Sequence, residues 1–313
     1  MSTESNTVPE SAVNSGVTDP GYNTEKTRPM YWSVRRELWE NRSIYIAPLI
    51  VAAVQVFGFA ISTIGLAERR RGVLLLDPAH QRAAIEMPYD VAAMMMIFTA
   101  FIIAVFYCLD ALHGERRDRS ILFWKSLPVS DLTTVLSKAS VPLVILPLLA
   151  FAINVCVQLI MLLMSTANLL MHGVSPATTW AHFPVFQNWL VLLYGLVAIA
   201  LWHAPIYGWL LLVSGSARRA TFLWAVLPLL AIGILEKIAF NTSHFVSMVN
   251  HRLTGFAAEA FAFQPHGNSV AIDSLAQLTP GRFLSTPGLW IGLAFAAAFL
   301  AAAVRLRRYR GPI

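Results

Sequence analysis

Residues 140–165 read SVPLVILPLLAFAINVCVQLIMLLMS, a run that contains no Asp, Glu, Lys or Arg. About 20 apolar residues in an α-helix cross the roughly 30 Å hydrocarbon core of a bilayer. The absence of charge continues from residue 139 to residue 217, which leaves room for a second crossing. This stretch therefore predicts a helical membrane protein.

The composition of the whole chain agrees with that prediction. Of its 313 residues, 57% are hydrophobic and 13% are charged, and the mean hydropathy is +0.60. A soluble globular domain carries about twice this share of charge. We predict an all-α integral membrane protein with six transmembrane helices, at about 43–66, 91–112, 140–165, 187–213, 221–237 and 288–305.

Four further segments lie outside these six spans. Residues 1–29 are rich in Ser, Thr, Asn, Pro and Glu, which predicts a disordered cytoplasmic tail. Residues 30–42 alternate aromatic and charged side chains at helical spacing, which favours an amphipathic interfacial helix. The alternative is that these residues form the first, solvent-exposed turns of the next span. Residues 67–90 are predicted to be a polar loop, and residues 238–287 short helices or a loosely ordered loop.

The distribution of Lys and Arg predicts the orientation in the membrane. Both termini and residues 113–131 are cytoplasmic if the side with most of the 23 basic residues faces inwards, and residues 238–287 are then external. The cluster Arg69, Arg70 and Arg71 is the exception, because this orientation places its three cations on the translocated side.

Residues 113–131, HGERRDRSILFWKSLPVSD, form a charged connection between the second and third spans. Glu115 and Arg119 stand four residues apart, and we expect them to stabilise one helical turn. Phe123 and Trp124 would then present an aromatic knob to a groove of another protein. The alternative is a membrane-surface helix with Trp124 among the lipid headgroups.

Several polar side chains interrupt the apolar spans, and each has two interpretations. A polar group inside a membrane either bonds a neighbouring helix or lines a functional path. At the boundaries, Asp110 is predicted to pair with Arg116 or Arg117, and Glu236 to anchor the external helices or line an exit. The possible path or gating residues are Asp110, Gln55, Asn154, Gln158, His203 and Glu236.

Motifs for chemistry by the chain itself are absent from the sequence. It contains neither a P-loop nor a His-Glu-x-x-His motif, and its eight histidines do not have metal-ligand spacing. We therefore predict no catalytic residue, no metal site, no cofactor bound by this chain and no nucleic-acid partner. An intramembrane enzyme that uses Asp110, His113 or His203 on a lipid, or an ion-coupled secondary transporter, remains an alternative.

The pair Glu115-Arg116, followed by Leu127-Pro128-Val129-Ser130, resembles the cytoplasmic segment after the second span in permeases of the type-2 ABC exporter family. The amphipathic N-terminal helix, the six spans, a short turn at 214–219 and the long segment between the last two spans are similar as well. The 67–90 segment has no counterpart in that pattern.

This resemblance implies a function, a set of partners and a set of residues. The chain would be a permease in a bacterial inner membrane, would form a homodimer or heterodimer with a second permease subunit, and would contact membrane lipids. A separate cytoplasmic ABC ATPase subunit would bind ATP and Mg and drive export of an apolar or amphipathic drug, peptide or lipid. The implied ATPase-coupling residues are Glu115, Arg116, Arg119, Phe123, Trp124, Leu127 and Pro128.

Overall fold

The computed structural model describes residues 28–126, 129–262 and 275–309. Within these residues, six helical stretches are long and apolar enough to cross a membrane, which confirms the predicted number. Over the described residues the chain is helical apart from turns and one isolated β-bridge, between Phe261 and Leu278. The six stretches are Ser43–Ser62, His80–Arg117, Asp131–Met171, Val185–Ser216, Thr221–Phe240 and Pro287–Tyr309. Apart from its last two residues, the predicted tail lies outside the described residues.

Individual helices are numbered along the described residues. They are α1 (Pro29–Glu40), α2 (Ser43–Ser62), α3 (Leu66–Val73), α4 (Pro78–Asp110), α5 (His113–Arg117), α6 (Ser120–Ser126), α7 (Asp131–Ser140), α8 (Leu146–Met171), α9 (Ala177–His182), α10 (Val185–Ser216), α11 (Thr221–Phe240), α12 (His244–Thr254), α13 (Phe256–Ala260), α14 (Pro280–Ser285) and α15 (Pro287–Tyr309). A π-helical turn, Val141–Ile145, joins α7 to α8, and a 3-10 turn, Leu275–Gln277, precedes α14.

The predicted polar loop at 67–90 is wrong, because most of this segment is helical. It contains α3 and the first turns of α4. Asp77 caps α4 by accepting a hydrogen bond from the His80 amide at 3.4 Å, and Pro78 follows at the first helical position, where a missing N–H costs nothing. The 33 residues of α4 span about 50 Å, so the helix is longer than a bilayer core requires.

The third of these helical stretches begins earlier than the predicted span, at Asp131 instead of residue 140. The Ser130 hydroxyl caps α7 by accepting a hydrogen bond from the Thr133 amide at 3.1 Å. Pro142 lies in the π-helical turn and Pro147 follows at the start of α8. Each proline removes one backbone donor, and a π-turn accommodates such a break without ending the helix.

The bundle is organised around α10, which contacts α4, α8, α11 and α15. Trp202 and Leu211 of this helix are almost completely buried. α15 packs closely along it at Gly208, where an added Cβ would lie 3.2 Å from the Ala296 carbonyl oxygen. α11, in contrast, buries little of its surface within the chain.

The predicted amphipathic helix at 30–42 is present as α1, and the face that it buries is the polar one. Ser33 and Glu37 are buried, and α1 packs against α7. Tyr31, Trp32 and Trp39 are exposed. Exposed aromatic rings suit the headgroup region of a bilayer, so the interfacial location stays a prediction.

Candidate functional site: a buried charge cluster

Six charged side chains meet at one end of the bundle, and we call them the charge cluster. They come from α1, α5, α7 and α15, and three are acidic and three basic. Four of the side chains are at most 5% exposed. A charge this deeply buried is costly unless an opposite charge and hydrogen bonds compensate it. The charge cluster consists of Arg36, Glu37, Glu115, Asp131, Lys138 and Arg307.

Glu37 lies at the centre of the α1 side of the charge cluster. Its two carboxylate oxygens are 2.9 and 3.0 Å from Lys138 Nζ, and Arg36 Nη2 is 2.7 Å away. The Tyr107 hydroxyl of α4 donates a further hydrogen bond at 2.8 Å. The carboxylate is therefore compensated by two cations and one neutral donor, although its side chain is 0% exposed.

Glu115 connects α5 to three other helices. Its carboxylate oxygen Oε1 lies 2.9 Å from Arg36 Nη2 of α1 and 3.1 Å from Lys138 Nζ of α7. Its other oxygen accepts a hydrogen bond from Arg307 of α15. Arg307 also donates to Asp131 at the start of α7, at 3.1 Å. One acidic side chain thus holds a short helix against three long elements.

The electrostatic balance of the charge cluster is visible at Arg36, which is its most exposed basic member. Burial alone lowers the pKa of an arginine, because it disfavours the charged form. The neighbouring carboxylates of Glu37, Glu115 and Glu40 outweigh that burial and raise the pKa of Arg36. The three carboxylates thus stabilise the charged form of Arg36, which in turn compensates Glu37.

A second set of contacts attaches α5 to the end of α10. Arg116 Nη1 donates to the carbonyl oxygens of Gly215, at 2.9 Å, and Ala217, at 3.2 Å. The Ser214 hydroxyl accepts hydrogen bonds from the Leu112 and His113 amides, at 3.0 and 2.9 Å. A cation near the last carbonyls of a helix also interacts favourably with the helix dipole. The 214–219 turn and the 113–131 connection therefore form one unit.

α6 is the outermost part of this unit. Leu122 and Phe123 are 58% and 60% exposed. Lys125 Nζ lies 3.5 Å from the Arg308 carbonyl oxygen, near the end of α15. The Trp124 side chain lies outside the described residues, as do Leu127 and Pro128.

The predicted pair between Glu115 and Arg119 is wrong. Arg119 lies beyond the end of α5 and has a left-handed backbone, with φ of 58°. The helix therefore does not extend far enough to bring the two side chains onto one face. Glu115 instead points into the bundle, where Arg36, Lys138 and Arg307 surround it.

The boundary acids behave much as the sequence predicts. Asp110 is 3.7 Å from Arg117, one of the two partners expected for it, and its side chain is 57% exposed. Glu236 accepts hydrogen bonds from the Thr242 hydroxyl and from the amides of His244 and Phe245, at 2.7 to 2.8 Å. Glu236 therefore anchors the start of α12.

Three of the other polar residues in the spans bond neighbouring backbone or side chains. Gln55 donates to the Ala92 carbonyl at 3.0 Å. Gln158 accepts from Trp189 Nε1 at 3.0 Å and donates to the Tyr89 carbonyl at 3.4 Å. The two ring nitrogens of His203 lie 2.9 and 3.1 Å from the carbonyl oxygens of Ile199 and Leu253.

Asn154 differs from these residues. It is 0% exposed, and neither of its side-chain polar atoms has a hydrogen-bond partner within the described part of the chain.

None of the six predicted path residues belongs to the charge cluster.

Sequence reasoning missed five of the six members of the charge cluster as site residues: Arg36, Glu37, Asp131, Lys138 and Arg307. One signal was available, because Ser33, Glu37 and Glu40 share the polar face of α1. A helix at a membrane surface is expected to turn such a face to water, whereas Ser33 and Glu37 are buried where α1 packs against α7. Lys138 immediately precedes the charge-free stretch 139–217, so its position in the sequence indicates the end of a span and not an ion pair.

Comparisons with protein-family models, with curated proteins and with solved structures found no match. Function is therefore inferred from the charge cluster and from the helices that it joins.

Proposed function

We propose that this chain is the transmembrane permease subunit of an ATP-binding cassette exporter. In this proposal a separate cytoplasmic ATPase subunit contacts α5 and α6, and ATP and Mg bind to that subunit. The chain pairs with a second permease subunit and resides in a bacterial inner membrane. Its cargo is apolar or amphipathic, because the six apolar helices carry few ionisable groups.

The observation that supports the proposal is the attachment of Glu115. A contact that moves α5 acts on α1, α7 and α15 through the Arg36, Lys138 and Arg307 ion pairs. Arg116 extends the attachment to the end of α10. Charge-assisted bonds of this kind are short and directional, so the joined elements move together instead of sliding.

The outer surface of the same unit suits a protein contact. Leu122 and Phe123 expose apolar surface beside the attached helix. Aromatic side chains such as Phe123 are enriched at protein interfaces. α6 would therefore receive the contact and α5 would pass the displacement to the long helices.

The experiment is purification of the full chain, carrying an affinity tag, from its native membrane. We expect an ABC-type ATPase to co-purify in stoichiometric amount and to hydrolyse ATP. The variant Phe123→Asp places a charge on the exposed surface of α6 and should remove most of the bound ATPase. The control is Leu132→Asp, which adds the same charge at an exposed apolar position of α7.

Retention of the ATPase by the Phe123→Asp variant, at the level of the Leu132→Asp variant, would contradict a contact at α6. Transport by reconstituted chain without any ATPase would contradict the proposal as a whole. If an ion gradient alone drives that transport, the chain is a secondary transporter; turnover of a lipid by the isolated chain would instead indicate an intramembrane enzyme.

A further inference from the structure

α3 carries three consecutive arginines, two of which have an evident structural role. Arg69 donates to the carbonyl oxygens of Ser62 and Ile64 at the end of α2. Arg71 Nη2 donates to the His172 carbonyl oxygen, just after α8, at 3.1 Å. The last carbonyls of a helix lack partners within that helix and carry its partial negative charge. Both cations therefore cap helix ends.

Arg70, the remaining arginine, makes no such hydrogen bond to a helix-end carbonyl among the described residues. Only 7% of the residue is exposed, and its Nε atom makes no hydrogen bond. Within the described part of the chain no acidic side chain pairs with it. Glu68 lies two residues away and is exposed, and Glu86 of α4 is bound by Arg82 at 3.0 Å.

Among the described residues, the surroundings of Arg70 contain polar groups but no negative charge. The Tyr89 hydroxyl acts on the guanidinium electrostatically, and that hydroxyl lies 3.4 Å from the Ser165 hydroxyl. Burial lowers the pKa of Arg70, and nothing except Tyr89 opposes the shift. An arginine nevertheless stays protonated in proteins, so a buried positive charge lacks an anion.

The position of α3 relative to the bilayer indicates which anion could bind Arg70. α2 has 20 residues and is about 30 Å long, which equals the thickness of the hydrocarbon core. α3 follows the end of α2 after three residues, so a bilayer that α2 spans places Arg70 at the level of lipid headgroups. The anion that is abundant at this depth is the phosphate of a phospholipid.

Apolar residues beside α3 fit the remainder of a phospholipid. Leu74, Leu75 and Leu76 follow α3 directly and are 36%, 88% and 48% exposed. A free phosphate ion gains nothing from exposed leucines, whereas acyl chains bury against them. The combination of a buried cation and adjacent exposed leucines therefore favours a lipid.

We propose that Arg70 binds the phosphate group of a membrane phospholipid, whose acyl chains lie along Leu74, Leu75 and Leu76. A guanidinium forms two parallel hydrogen bonds to phosphate oxygens, which matches this group better than an ammonium would. The binding site does not depend on the exporter proposal, because it involves neither α5 nor α6.

The test uses the full chain in detergent after removal of bound lipid. Phosphatidylglycerol is added, and binding is followed by native mass spectrometry and by the melting temperature. Diacylglycerol supplies the same chains without phosphate, and inorganic phosphate supplies the anion without chains. The variant is Arg70→Gln, and Arg69→Gln is the control with the same loss of charge on the same helix.

We expect phosphatidylglycerol to bind and to raise the melting temperature of the wild-type chain. The affinity should fall by about tenfold or more in Arg70→Gln, as expected for the loss of a charged hydrogen bond, and much less in Arg69→Gln. If inorganic phosphate alone produces the same Arg70-dependent shift, the phosphate site stands and the lipid source is wrong.

A second measurement separates ligand binding from a structural role of Arg70. Without lipid, Arg70→Gln should melt at or above the wild-type temperature, because it removes an uncompensated buried charge. A lower melting temperature of this variant without lipid would overturn the proposal. Equal phosphatidylglycerol binding by wild type and Arg70→Gln, or equal binding of diacylglycerol and phosphatidylglycerol, would overturn it as well.

Discussion

Lys138 and Glu37 form an ion pair that is almost completely removed from solvent. Lys138 Nζ lies 2.9 and 3.0 Å from the two carboxylate oxygens, and the side chains are 2% and 0% exposed. The two residues are 101 positions apart in the chain. The pair therefore attaches α1 to α7 and places α1 as part of the bundle.

Replacement of Lys138 by methionine should destabilise the protein, because Glu37 keeps its charge and loses one cation. The cost of breaking a buried pair is about 3–5 kcal/mol. Chemical unfolding in detergent measures it. Lys237→Met, at an exposed position near the end of α11, is the control and should change the free energy of unfolding little. Equal effects of Lys138→Met and Lys237→Met would show that the Lys138–Glu37 pair does not stabilise the protein. The double variant Glu37→Gln with Lys138→Met should recover part of the unfolding free energy that Lys138→Met loses.

Replacement of Glu115 by glutamine should loosen α5 and α6. The variant keeps the shape of the side chain but loses its charge interactions with Arg36, Lys138 and Arg307. Amide hydrogen exchange over residues 113–126 should become about tenfold faster or more, which corresponds to about 1.4 kcal/mol of local stability. Glu68→Gln removes an exposed acid of α3 and should leave exchange at 113–126 unchanged. Unchanged exchange in the Glu115→Gln variant would show that Glu115 does not hold this unit.

Gly292 of α15 makes room for the guanidinium of Arg252. A Cβ at this position would overlap with Nη2, which donates to the Gly288 carbonyl at 2.8 Å. The guanidinium also lies 4.5 Å from the centre of the Trp202 ring. Gly292→Ala should displace Arg252 and cost about 1–3 kcal/mol.

Gly288→Ala is the matched control for Gly292→Ala. An added Cβ at Gly288 meets its nearest neighbours at 3.7 and 3.8 Å, which is ordinary contact. The melting temperature should fall for Gly292→Ala and change little for Gly288→Ala. The combination of Gly292→Ala with Arg252→Met should be less destabilised than the sum of the single variants, because the displaced group is then apolar.

Asn154 and Gln158 lie one turn apart on α8, and we expect opposite effects when each is made apolar. Gln158→Met leaves Trp189 Nε1 without its acceptor and should cost about 0.6–2 kcal/mol. Asn154→Leu removes two unpaired polar atoms and should be neutral or stabilising by about 1–3 kcal/mol. Unfolding measurements on both variants decide the matter. A clear destabilisation by Asn154→Leu would indicate a partner for Asn154 beyond the described residues of this chain.

Reasoning from nearby residues in the sequence predicted the contacts of Asp110 and Glu236, the acids at the ends of the spans, well. Asp110 pairs with Arg117, which is seven residues away, and Glu236 caps the next helix in the chain. Such reasoning failed for Glu115, because its partner Arg307 is 192 residues away and the closer Arg119 lies beyond the end of α5 with a left-handed backbone. The prediction of a polar loop at 67–90 is wrong for a related reason. Its charged residues favour a loop exposed to water, whereas Arg69 and Arg71 contact the ends of α2 and α8.

The sequence by itself determined the class of the protein and its six long helices. Each apolar run satisfies its own backbone hydrogen bonds as a helix and is long enough to cross the hydrocarbon core, so neither property depends on a distant residue. Only the tertiary structure decided which charges are buried together, and that Arg70 is buried without an acidic partner among the described residues. Those outcomes depend on contacts between α1, α5, α7 and α15, and on the packing of α3 against α4 and α8, because the burial of a charge depends on the partners that packing brings to it.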